Sequence, residues 1–75
     1  MTAHTLDARG LSCPLPVLRA QRALRALPAG ATLTVLATDP ASARDMPAYC
    51  EAAGHALLAS EEEGGDFRFV IRCGG

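Results

Sequence analysis

"LSCPLPVLRA", residues 11–20, decides how this chain folds: two prolines, one residue apart, stand between a cysteine and an apolar, arginine-bearing run. Proline breaks the interior of a helix, but the first four amides of any helix have no carbonyl partner within it, so a missing amide hydrogen costs little there. With Pro14 as the first helical residue and Pro16 as the third, both gaps fall among those orphan donors and both rings preset the helical φ. The prolines therefore start a helix. Projected at ~100° per residue, Val17, Ala20, Leu24 and Leu27 share one side, and Arg19, Arg22 and Arg25 lie on the other. The helix is expected to stop at "PAG", where Pro28 cannot continue it and Gly30 accepts a left-handed turn.

Working outward, "HTLDA" before the motif reads as a short strand, with Gly10 permitting the turn that follows. "ATLTVLAT" after it alternates, placing Leu33, Val35 and Ala37 on one face and Thr32, Thr34, Leu36 and Thr38 on the other. A second helix follows. Asp39 is the expected N-cap and Pro40 suits the first helical position, although Pro47 then implies a broken first turn or a restart capped by Asp45. Ala43, Met46, Cys50 and Ala53 fall at helical spacing, and Gly54 is a natural stop. "HALLAS" and "DFRFVIRC" read as two strands of an antiparallel hairpin closed through "EEEGGD", whose glutamates form a solvated hairpin end. In the last strand Phe67, Phe69 and Ile71 point one way, and Arg68, Val70 and Arg72 the other.

The order is βαβαββ. A four-stranded mixed sheet with both helices on one face is the economical way to bury these stripes, giving a two-layer α/β sandwich whose other sheet face meets solvent. A chain of 75 residues closes one modest core, so residues 1–75 are read as a single domain. The apolar fraction is 49% with no Trp, one Tyr and two Phe, so aliphatic contacts must supply most of the burial energy.

A net charge of −1, with no lysine among the seven basic residues, gives no global attraction to nucleic acid or anionic membrane. The opening "MTAHTLDARG" has neither the basic start nor the apolar core of a secretory signal, and no apolar run approaches the ~20 residues of a membrane span. A soluble, cytoplasmic protein is expected. Cys13, Cys50 and Cys73 are odd in number and widely spaced, fitting neither a disulfide framework nor paired zinc knuckles.

The register read from the prolines makes Cys13 the N-cap, with its sulfur at the positive end of the helix and the Leu15 amide as the nearest remaining donor. Helix N-termini lower thiol pKa values below the ordinary ~8.5, and Arg9 and Arg19 would add to the effect if the fold brought them close. Leu15 and Leu18 fall on the arginine side, away from the core stripe. Beside a reactive thiol, Leu15, Leu18, Arg19 and Arg22 read as a docking patch, since apolar anchors ringed by arginine are common at interfaces. Cys50 lies on the apolar stripe of the second helix and reads as core. Cys73 continues the inward phase of the last strand but sits two residues from the last glycine, where exposure is expected. His4 and His55 are isolated, and no phosphate-binding glycine loop is present.

"LDARGLSCPLPV" resembles the Cys-Pro-x-Pro signature of the TusA/SirA-like sulfur-carrier family, and "DPASARDMPAYC" and "FRFVIRCGG" extend the resemblance from Leu6 onward. The resemblance implies a βαβαββ sandwich like the C-terminal domain of translation initiation factor 3. It implies that the motif cysteine, here Cys13, takes sulfane sulfur from a cysteine desulfurase or rhodanese, carries it as a persulfide and hands it to an acceptor protein. Outlets in the family include tRNA 2-thiouridine, molybdenum-cofactor maturation and sulfur oxidation. Pro14 and Pro16 are then the structural half of the motif, and no metal, cofactor, membrane or nucleic acid is called for. A monomer suits such a shuttle. Cys73 departs from the family pattern and leaves a disulfide with Cys13 open. Three rival readings stand beside this one. They are a carrier charged as a thiocarboxylate at Gly74-Gly75, a regulatory or RNA-binding module, and a thiol-disulfide oxidoreductase, which lacks the C-x-x-C pair.

Overall fold

The structure is a computed structural model and describes residues 3–74. Its elements are β1 (Ala3–Ala8), α1 (Leu15–Arg25), β2 (Thr32–Ala37), α2 (Ser42–Ala53), β3 (Ala56–Glu63) and β4 (Asp66–Arg72), the expected βαβαββ order. The strands form one mixed sheet in the order β1-β2-β4-β3. β1 runs parallel to β2 with Ala8 opposite Ala37, while β4 is antiparallel to both β2 and β3.

The core lies between one face of this sheet and both helices. Leu33, Val35 and Ala37 from β2 and Phe67, Phe69 and Ile71 from β4 meet Ala20 and Leu24 of α1 and Met46 and Cys50 of α2. Val17 and Leu27 flank this cluster half-buried, so the helical stripe read from the sequence is the stripe that packs. Burial of each large side chain contributes roughly 1.5–3 kcal/mol, and Phe69, fully enclosed, is the largest of them. The opposite face carries Thr34, Leu36, Arg68, Val70 and Arg72, exposed or half-buried.

The second helix corrects three expectations. It runs unbroken through Pro47, with Met46 and Cys50 beside the proline buried in the core to offset the lost hydrogen bond and the ring's clash with the preceding turn. Its buried positions are Ser42, Met46 and Cys50, whereas Ala43 and Ala53 are exposed. Asp39 stands before the helix rather than at its cap: its carboxylate accepts the Ala41 amide at 3.0 Å, and Ala41 is the N-cap residue. Gly54 ends α2 at φ 80, the left-handed conformation that glycine adopts without strain. In β3 the register shifts between Leu57 and Ala59, and Leu58 stands out at this bulge on the edge strand.

Candidate functional site

Because β1 and β2 are parallel and in register, the chain leaves both strands at the same edge of the sheet. The β1–α1 loop, carrying Cys13, and the β2–α2 loop, carrying Asp39, therefore lie side by side although 26 residues separate them. The loops are tied by the Gly10 amide, which donates to Thr38 Oγ1 at 2.9 Å, and by the Cys13 amide, which donates to Asp39 Oδ2. Such an edge, beyond the carboxyl ends of parallel strands, is where open α/β sheets place their functional groups.

The helix starts one residue later than the prolines alone suggest. Pro14 is the cap residue of α1, Leu15 is its first residue and Pro16 its second, buried, residue, so neither proline removes a donor that the helix would use. The Cys13–Pro14 peptide bond is cis. Cys13 is thus not the N-cap, and the Leu15 amide is taken by the Ser12 carbonyl at 2.9 Å. The sulfur turns instead to α2, where Cys13 Sγ donates to Asp45 Oδ2 at 3.2 Å.

That contact reverses the expected electrostatics. The hydrogen bond to Asp45, then loss of hydration, then the charges of Asp45 and Asp39 push the Cys13 thiol above the ordinary range, and Arg44 offsets this only in part. Asp39 itself is held below the usual carboxylate range by the amides of Ala41 and Cys13. Arg9 is spent elsewhere. Its guanidinium grips Asp7 in a two-pronged pair at 2.9 and 3.0 Å and holds that carboxyl down to about 2. Asp45 was read from the sequence only as a possible cap. The signal that could have found it was topological, since two parallel strands deliver their βα loops, and the first turn of the helix that follows each, to one end of the sheet.

Of the three thiols, Cys13 is exposed while Cys50 and Cys73 are 1% and 3% accessible. Cys73 is therefore buried, against expectation: β4 carries it under the C-terminal end of α1, where Sγ faces the carbonyls of Leu24 and Leu27 at 3.6 and 3.7 Å. Cys13 lies before the other end of the same 11-residue helix, about 16 Å long at 1.5 Å per residue. A disulfide between the two would require α1 to be displaced. Gly74 is also held, its amide donating to His55 Nδ1 at 2.9 Å, and a Cβ there would meet the Gly54 carbonyl at 1.9 Å.

Leu15 and Leu18 are 42% and 50% exposed and line a shallow hollow with Arg19 and Arg22, directly after the cysteine. The four residues of the expected patch are therefore contiguous on one face of α1. Among the described residues no group of three or more His, Cys, Asp or Glu side chains is placed to hold a metal ion, and no helix is long and apolar enough to cross a membrane.

The fold and this edge define a class: small open-faced α/β domains that present one accessible thiol beside an apolar, arginine-rimmed helix face. The chain belongs to the family described as sulfurtransferase TusA, which it matches over residues 4–73. It is 51% identical over 67 residues to the sulfur carrier protein TusA of Allochromatium vinosum, covering 89% of this chain and 88% of that one. The crystal structure of a SirA-like protein from Desulfitobacterium hafniense superposes with a TM-score of 0.83 at 34% identity, covering 96% of this chain and 99% of the other.

Proposed function

We propose that this chain is a sulfur carrier, a protein substrate of transferases rather than an enzyme, that holds sulfane sulfur as a persulfide on Cys13. The observation that carries the reading is the division among its thiols: Cys13 alone is exposed, on a loop beside a bare apolar hollow, while Cys50 and Cys73 are enclosed. Family membership and the Allochromatium relative's name support the same role. A cysteine desulfurase or rhodanese loads the carrier in the cytoplasm and an acceptor protein empties it, toward tRNA thiolation, cofactor assembly or sulfur oxidation. Leu15, Leu18, Arg19 and Arg22 form the face on which these partners settle. Persulfide transfer needs only an accessible sulfur nucleophile and a second thiol to remove the terminal sulfur, so the small open site suffices.

Intact-mass spectrometry after incubation with a cysteine desulfurase and cysteine tests the reading. A gain of about 32 Da, reversed by dithiothreitol and absent from Cys13→Ser, is expected. Equal loading of Cys13→Ser would move the site to another thiol. With ATP and an adenylating enzyme added, a mass gain corresponding to sulfur replacing oxygen, lost on deletion of Gly74 and Gly75 but retained in Cys13→Ser, would favour the thiocarboxylate rival.

A further inference from the structure

The carboxylate against the reactive sulfur is the feature that the carrier reading leaves without a task. A thiol meant only to attack would be better served by a cation or by a bare helix N-terminus. This one has been turned away from the helix amides and onto Asp45. The charged groups that face it are Asp45 and Arg44 from α2 and Asp39 from the β2–α2 loop, and α1 contributes none. Asp45 also meets its neighbour Arg44, a largely exposed side chain whose Nε lies 3.4 Å from Oδ1, while Oδ2 takes the thiol. Asp39 fixes the Cys13 backbone from the other side.

We propose that Asp45 is a latch on the carrier thiol: it holds the proton on Cys13 in the free protein, so that Cys13 accepts sulfur from a docked donor in preference to small persulfides in solution. The proposal rests on the carrier reading and concerns the regulation of the same sulfur. With the latch closed, few molecules carry the thiolate that attacks. A donor settling on the Leu15–Arg22 face crowds the Sγ–H···Oδ2 bond apart, and the proton leaves. Cys13 Sγ then attacks the terminal sulfur of the donor persulfide R–S–SH, and the donor's S–S bond breaks with its electron pair on the inner sulfur. That sulfur takes the released proton to become R–SH. Cys13–S–SH is formed, sulfane sulfur has moved between thiols, and no outside oxidant is consumed.

The test compares wild type, Asp45→Asn and Asp45→Glu, each shown by thermal melting to be folded. Alkylation of Cys13 by iodoacetamide is followed against pH at the Cys13 peptide, and loading is followed with glutathione persulfide and with a desulfurase. The Asn variant, isosteric but without the negative charge that disfavours the thiolate, should be alkylated severalfold faster at neutral pH, with its inflection moved to lower pH. It should load severalfold faster from glutathione persulfide and so lose selectivity for the protein donor. The Glu variant should stay nearer the wild type. Native wild type should also inflect at higher pH than the same protein in urea, a comparison that needs no variant. An Asn profile unchanged or moved to higher pH, or a native profile at or below the unfolded one, overturns the latch. A wild type that no persulfide loads overturns the carrier reading and the latch with it. One that loads while its Asn variant keeps the wild-type profile overturns the latch alone.

Discussion

Cys13 and Cys73 stand beyond opposite ends of one helix, and the two ends treat the same side chain in opposite ways. Before α1 the sulfur is exposed, its amide held by Asp39 and its proton by Asp45. Beyond α1 the sulfur is enclosed and faces the carbonyls of Leu24, in the last turn of the helix, and Leu27, just past its end. A thiol's chemistry is set by access and by neighbouring charge, so the sequence position of a cysteine says less than the element end on which it lands.

The largest expected effect is kinetic. Labelling of Cys73 and Cys50 in the native protein requires opening of the core, which for a domain of this size costs several kcal/mol. An opening of about 4 kcal/mol leaves roughly one molecule in a thousand reactive. Iodoacetamide with peptide mapping should therefore mark Cys13 faster than either buried thiol by up to about a thousandfold, less the factor that the Asp45 hydrogen bond takes from Cys13's own rate. Labelling of Cys73 within tenfold of Cys13 would break the comparison outright.

Substitution by a charge sharpens the contrast next. Cys73→Asp places a carboxylate against the Leu24 and Leu27 carbonyls with no compensating donor, and burying such a charge costs about 3–5 kcal/mol, enough to unfold much of a 75-residue protein. Cys13→Ser, at an exposed position, should shift stability by less than about 0.5 kcal/mol. Urea unfolding of both variants measures the difference.

The Cys13 end is not without structural cost of its own. Asp39→Ala removes the acceptor of two loop amides, those of Ala41 and Cys13, and the midpoint of urea unfolding should fall with the loss of both hydrogen bonds. The same variant frees the Cys13 loop and removes one of the charges that disfavour its thiolate, so alkylation of Cys13 should quicken while Cys50 and Cys73 stay protected. Unchanged stability would show that the loop is held by Gly10 and Thr38 without help.

These two ends also show where sequence reasoning stops. The sheet, the helices and nearly all of the core were legible, because period-2 and period-3.6 stripes such as Leu33-Val35-Ala37 and Ala20-Leu24 are local and each has one economical way to be buried. Leu15 and Leu18 were legible as exposed for the same reason. The partners of Cys13 were not. Its hydrogen bond to Asp45 spans 32 residues and a one-residue difference in where α1 begins, and no periodicity encodes either. Cys73 was misplaced by counting residues from the last glycine, when its strand phase already pointed inward beside Ile71.

The smallest expected effect on stability belongs to the arginines between the two ends, and it separates partner recognition from folding. Arg19 and Arg22 are exposed and, among the described residues, make no ion pair within 4.0 Å. Reversing both to Glu should therefore change the unfolding free energy by no more than about 0.5 kcal/mol. It should also leave the iodoacetamide reactivity of Cys13 near the wild-type value, because neither guanidinium is among the charges that act on that thiol. Loading from a protein donor is a different matter, since it requires a second surface to settle beside Leu15 and Leu18, and reversed charge acts mainly on encounter and register. A slower donor-driven gain of sulfur, with loading from glutathione persulfide unaltered, would place recognition on α1 and reactivity on α2. Equal slowing of both reactions would instead show that the helix face acts on the thiol itself, and the division between the two would have to be abandoned.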